Sequence, residues 1–156
     1  MSTATVVIGV GNTLRGDDAA GRELVRRLKR RRLPPGTSAV ESAGELSSLL
    51  EAWRGARRVI LVDAARGESA PGAVHRFEAD HPLPTRLAGR SSHGLGVAEA
   101  LELARSLGEL PAEVVVYAIE GQSFETGAAL SLEVERALDP LVERVMADLG
   151  ADTLDS

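Results

Sequence analysis

The sequence predicts one α/β domain: a three-layer α/β/α sandwich on a mostly parallel, twisted sheet of about five strands, one of them antiparallel at an edge. Three observations carry this. Short β-branched apolar runs alternate with stretches whose apolar residues recur at helical spacing. One connection, Asp63 to Ala73, is too short for the crossover that parallel neighbours need. The 156 residues suit a single domain with a real core.

Each element has its own signal. Thr5–Val10 is a β-branched run that ends in glycines and reads as a buried strand. A helix follows from about Ala19 to Arg32, with Leu24, Val25 and Leu28 on one stripe, and Pro34 and Pro35 stop it. A short strand is expected near Thr37–Glu41. Leu46, Leu49, Leu50 and Trp53 then mark a helix near Glu45–Trp53, as a core stripe. Val59–Val62 is a third strand that ends at Asp63. Ala73–Glu78 is the fourth, the expected antiparallel edge. Ala79–Ser92 is long enough to bring the chain back across the sheet. Gly94–Leu107 is a helix, Val114–Ile119 the fifth strand and Leu132–Leu149 the closing helix. The domain is expected to span 1–150, with 151–156 a frayed polar tail.

Composition narrows the chemistry. No cysteine is present, so disulfides and thiolate metal sites are excluded. A metal would have to be held by Asp, Glu, His or backbone oxygens. The three histidines are His75, His81 and His93. His75, in the edge strand, and His81, in a Pro-rich loop, read as surface residues. The net charge of −5 argues against binding nucleic acid through its phosphates. Of eighteen basic residues, Lys29 is the only lysine. The basic run Arg26–Arg32 reads as a solvated face at a helix C-terminus, where it complements the dipole. No basic leader or apolar span long enough for a membrane is seen, so the cytoplasm is the expected compartment and no membrane partner is expected. A monomer is the expected state.

In an open α/β sheet, ligands bind at the carboxyl edge of the strands. The loop after the first strand, the end of the third and the start of the Gly94 helix should share that edge. They bring Asp17 and Asp18, Asp63 and His93. One of the paired aspartates can cap the following helix, which leaves the second over for function. Asp63 could be a turn residue or a ligand. His93, after Ser91-Ser92, stands at a helix N-terminus, where the dipole disfavours the imidazolium. Two carboxylates and a neutral imidazole make an open metal site, lacking the fourth ligand of a closed structural one and therefore weak by itself. A dinucleotide loop is the competing reading of Gly9-Val10-Gly11-Asn12-Thr13-Leu14, with Glu41 as a ribose acid. Leu14 stands where that motif needs glycine, and two carboxylates would repel a pyrophosphate. Asn12 and Gln122 read either as substrate contacts or as loop hydrogen bonds.

At these residues the chain resembles the hydrogenase maturation endopeptidases, cytoplasmic enzymes that trim the C-terminal extension of [NiFe] hydrogenase large subunits. The resemblance runs from about Val6 to Leu149. It rests on Gly9-Val10-Gly11-Asn12-Thr13-Leu14-Arg15-Gly16-Asp17-Asp18-Ala19-Ala20-Gly21, on Val62-Asp63-Ala64 and on Ser91-Ser92-His93-Gly94-Leu95, three motifs in family order. Ile119-Glu120-Gly121 and Gly127–Val134 are similar to the family's C-terminal section. The chain departs from the pattern at Glu41-Ser42-Ala43-Gly44, only partly glycine-rich, and at Leu132, where proline is common.

The resemblance implies that Asp18, Asp63 and His93 contact nickel, the first position carrying the shorter acid. It also implies that these residues do the enzyme's work: cleavage of a large-subunit precursor only after nickel is in place, with the metal supplied by the substrate. Whether the metal helps to break the bond or only anchors the substrate stays open. A non-enzymatic nickel chaperone or sensor built on the same ligands is the principal alternative. Peptidyl-tRNA hydrolases share the Gly-x-Gly-Asn loop, but a histidine follows theirs where Asp17 and Asp18 stand here.

Overall fold

The structure is a computed structural model that describes residues 4–67, 69–78 and 95–154. Among the described residues five strands form one sheet: β1 (Thr5–Val10), β2 (Thr37–Ser42), β3 (Arg58–Ala65), β4 (Val74–Glu78) and β5 (Glu113–Glu120), in the order β2-β1-β3-β5-β4. β1 pairs in parallel with β2 and β3, and β3 in parallel with β5. β4 pairs with β5 antiparallel, as the short connection after β3 requires, and lies at the edge.

Helices cover both faces. A 3-10 helix (Gly16–Ala19) leads into α1 (Ala20–Leu28), followed by α2 (Leu46–Trp53), α3 (Leu95–Leu107) and α4 (Leu132–Leu154). Side chains alternate across the sheet, so each strand feeds two cores. Val6, Ile8, Val59, Leu61, Val114 and Val116 pack under α2 and α3, with Leu49, Trp53, Ala100 and Leu101. Val7, Ile60, Val62, Val115, Tyr117 and Ile119 pack under α1 and α4, with Leu24, Leu28, Leu138 and Val145. The Leu46/Leu49/Leu50/Trp53 stripe is thus core.

Several boundaries move from those the sequence predicts. α1 stops at Leu28, short of Arg32, because the N–H groups of Arg30 and Arg31 reach back three residues instead of four, in tighter turns that end the helix. The closing helix passes Leu149 and continues to Leu154, since a lone glycine at 150 costs a helix only about 1 kcal/mol. β3 does not end at Asp63; it runs on through Ala64 and Ala65, which pair with Ile119 and Glu120. The return segment Ala79–Ser92 lies outside the described residues. No helix among the described residues is long and apolar enough to cross a membrane.

Candidate active site at the carboxyl edge

The site begins with a chain that has no room for side chains. α1 starts so close to the strand ends that a Cβ on Gly21 would stand 2.3 Å from the Val62 carbonyl oxygen, and one on Gly9 would stand 2.2 Å from that of Gly21. This contact seats the loop after β1 on the carboxyl edge. Gly16, at φ +55, makes the turn into the 3-10 helix. That helix packs against β3 and places Asp17 and Asp18, both fully buried, at its centre.

The two aspartates have different work. The Asp17 carboxylate accepts backbone N–H groups from Gln122 at 2.7 Å, Ser123 at 3.2 Å and Ser131 at 2.7 Å. Its own N–H donates to the Ser123 carbonyl at 2.8 Å. Asp17 thereby pins the whole connection between β5 and α4. It does not cap the helix as expected, and neither does Asp18: no side chain caps the 3-10 helix or α1. Asp18 Oδ2 instead accepts the N–H of Asn12 at 3.2 Å. Asp63, also buried, accepts the N–H of the next residue, Ala64, at 2.8 Å. Val62 is in register with Gly9, so Asp63 stands at the level where β1 gives way to the Gly11 loop.

The structure therefore brings Asp17, Asp18 and Asp63 to one edge. His93, with Ser91, Ser92 and Gly94, lies outside the described residues, as does His81. Two buried carboxylates oriented by backbone N–H groups suit a divalent cation. Among the described residues no group of three His, Cys, Asp or Glu side chains is placed to hold a metal, so a third protein ligand would have to come from elsewhere, His93 being the candidate.

Other sequence readings sort as follows. Glu41 accepts from Arg22 and Arg26 at 3.0 Å, which occupies the group suggested for a ribose. Burial pushes the Glu41 carboxyl up, but the two guanidiniums outweigh it and hold it below the usual carboxylate range. Asn12 Oδ1 accepts from Leu14 N–H at 2.9 Å, holding its own turn, and the Gln122 side chain is exposed. The basic run is not merely solvated: Arg27 pairs with Glu135 and Asp139, and Arg31 with Glu143, tying α1 to α4.

Sequence reasoning missed two residues. His75 is half-buried, and its Nε2 lies 3.5 Å from Oε1 of Glu120. Glu120 is 4% exposed and closes β5 at the same edge. The pair joins residues 45 positions apart (120 − 75), so only the antiparallel register of β4, not local spacing, reveals it.

Known proteins are similar to this chain in sequence and in fold. A family model described as hydrogenase maturation protease (HycI) matches residues 22–148. The hydrogenase 2 maturation protease of Escherichia coli K12 is 29% identical over 154 residues, covering 92% of this chain and 89% of that protein. The solved hydrogenase maturating endopeptidase HybD of E. coli superposes with a TM-score of 0.82 at 27% identity, over 97% of this chain and 94% of the other. The [NiFe] hydrogenase maturation protease HybD of Thermococcus kodakarensis gives 0.77 at 26% identity, over 96% and 99%. The chain belongs to the hydrogenase maturation protease family, and its role is that of a protease in hydrogenase maturation.

Proposed function

We propose that this protein is a cytoplasmic endopeptidase that removes the C-terminal extension of a [NiFe] hydrogenase large-subunit precursor after nickel insertion, and that it recognises the bound nickel through Asp18, Asp63 and His93. One observation supports this above the rest: of two fully buried neighbouring aspartates, Asp17 is consumed by three backbone N–H groups, while Asp18 lies beside the strand that carries Asp63. A fold needing only a loop anchor is served by one carboxylate. The nickel belongs to the substrate, whose own ligands hold it. Asp18, Asp63 and His93 fill positions left open on it, so the empty precursor is a poor ligand. The metal, when present, can polarise or anchor; this chain orients its carboxylates by the N–H groups of Asn12 and Ala64.

The test mixes the purified chain with nickel-loaded or nickel-free precursor and weighs the product by mass spectrometry. Loss of a C-terminal peptide from the loaded precursor alone, abolished by Asp18→Asn, is the expected result. A matched loaded precursor that stays intact overturns the reading.

A further inference from the structure

The sheet register aligns three residues across one face at the carboxyl edge. Asp63 on β3 pairs with Ala118 on β5, and Ala118 pairs with His75 on β4. Paired residues point to the same face of a sheet. With strands about 4.8 Å apart, His75 lies about 10 Å from Asp63 along the row, backbone to backbone. The residue between them is a small alanine. One step further along the same face, Glu120 brings its carboxylate to 3.5 Å from His75 Nε2.

Glu120 is buried. Among the described residues its Oε2 has no hydrogen-bond partner. Gly67 leaves it space: a Cβ there would stand 2.4 Å from Oε1. Gly67 also lines an open groove of about 460 Å³, with Gly121, Gln122, Phe124 and Arg66, whose guanidinium lies 4.2 Å above the Phe124 ring. The His75 side chain keeps about a third of its surface exposed, and among the described residues its Nδ1 has no hydrogen-bond partner. An imidazole with a buried carboxylate beside one nitrogen, and about a third of its surface exposed, is the general arrangement of an oriented base. Such contacts are commonly long before substrate binds.

We propose that His75 is the proton-transfer group of the peptide cleavage and that Glu120 is its positioning residue. The inference rests on the endopeptidase reading above. His75 takes a proton from a water as the water oxygen bonds to the scissile carbonyl carbon. The C–N bond then breaks with its electron pair on nitrogen, and that nitrogen receives the proton from the imidazolium. A carboxylic acid and an amine are the products, and the acid gives up its proton to solvent.

Cleavage of nickel-loaded precursor by wild type, His75→Gln, His75→Ala and Glu120→Gln tests it, with precursor affinity and circular dichroism measured on each. His75→Gln is expected to lower kcat at least about 100-fold with KM unchanged. Added imidazole should restore part of the His75→Ala activity. Glu120→Gln should lower kcat about tenfold at unchanged KM, and imidazole should not restore it. Wild-type kcat in His75→Gln overturns the inference, and so does a loss that appears only as raised KM. If His75→Ala does not fold, His75→Gln decides alone. A wild-type chain that leaves loaded precursor intact overturns the endopeptidase reading itself, and the inference falls with it.

Discussion

Asp17 Oδ1 accepts the backbone N–H of Ser131 at 2.7 Å, across 114 positions of sequence. With Gln122 and Ser123 on its other oxygen, this one carboxylate fixes the connection that closes the site. Asp17→Ala leaves three N–H groups without their acceptor, each worth about 1–3 kcal/mol where water cannot replace it. We expect a loss of about 3–5 kcal/mol in urea unfolding. Trp53, the only tryptophan and fully buried, reports it by fluorescence.

Asp18→Asn should behave in the opposite way. The amide keeps the shape and can still accept the N–H of Asn12, so the loss of stability should be smaller than that of Asp17→Ala. Processing of the loaded precursor should nevertheless be lost. A variant as unstable as Asp17→Ala would mean that Asp18 is a second structural anchor.

Gly21→Ala probes the packing beneath the site. The new methyl would stand 2.3 Å from the Val62 carbonyl oxygen and 2.7 Å from that of Val10, both rigid backbone. α1 must then lift off the strand ends, at a cost of about 3 kcal/mol or more. Thermal melting of the variant beside wild type measures it, and an unchanged melting temperature would contradict the close approach.

Glu41 gives a pH dependence with a definite sign. Its carboxyl is held below the ordinary value of 4.5 by Arg26 and Arg22, against the upward push of burial. A depressed folded value stabilises fully above the unfolded value, and the benefit is lost as pH falls through the lower folded one. Glu41→Gln should therefore cost about 1 kcal/mol at pH 7 and less at pH 3. Urea melts at both pH values check this.

The isolated chain should bind nickel no more tightly than about micromolar, because its ligand set is open. Titration calorimetry decides. Nanomolar binding would move the chaperone alternative ahead of the endopeptidase.

The layers were legible in the sequence because the apolar runs are long and pure. Val59–Val62 and Val114–Ile119 admit no solvent face and must lie between two helical layers. The edge position of β4 followed from one short connection. The site was legible as a set of loops, and the structure brings Asp17, Asp18 and Asp63 to that edge. What the sequence withheld depends on contacts between distant residues. Asp17 and Asp18 look interchangeable until Ser123 and Ser131 arrive from the far end of the chain. His75 reads as an exposed histidine until β4 is laid antiparallel against β5, which turns it toward Glu120. Asp63 looked like a strand end because alanines carry no signal for continuing one.

The strand order has a consequence for synthesis. β4 leaves the ribosome before β5, yet among the described residues β5 is the one strand it pairs with. The connection gripped by Asp17 comes later still. A nascent chain can build β1, β2 and β3 and seat α1 on them, but it holds β4 without a partner and Asp17 without its amides. The carboxyl edge of the sheet is therefore complete only when nearly the whole polypeptide has emerged.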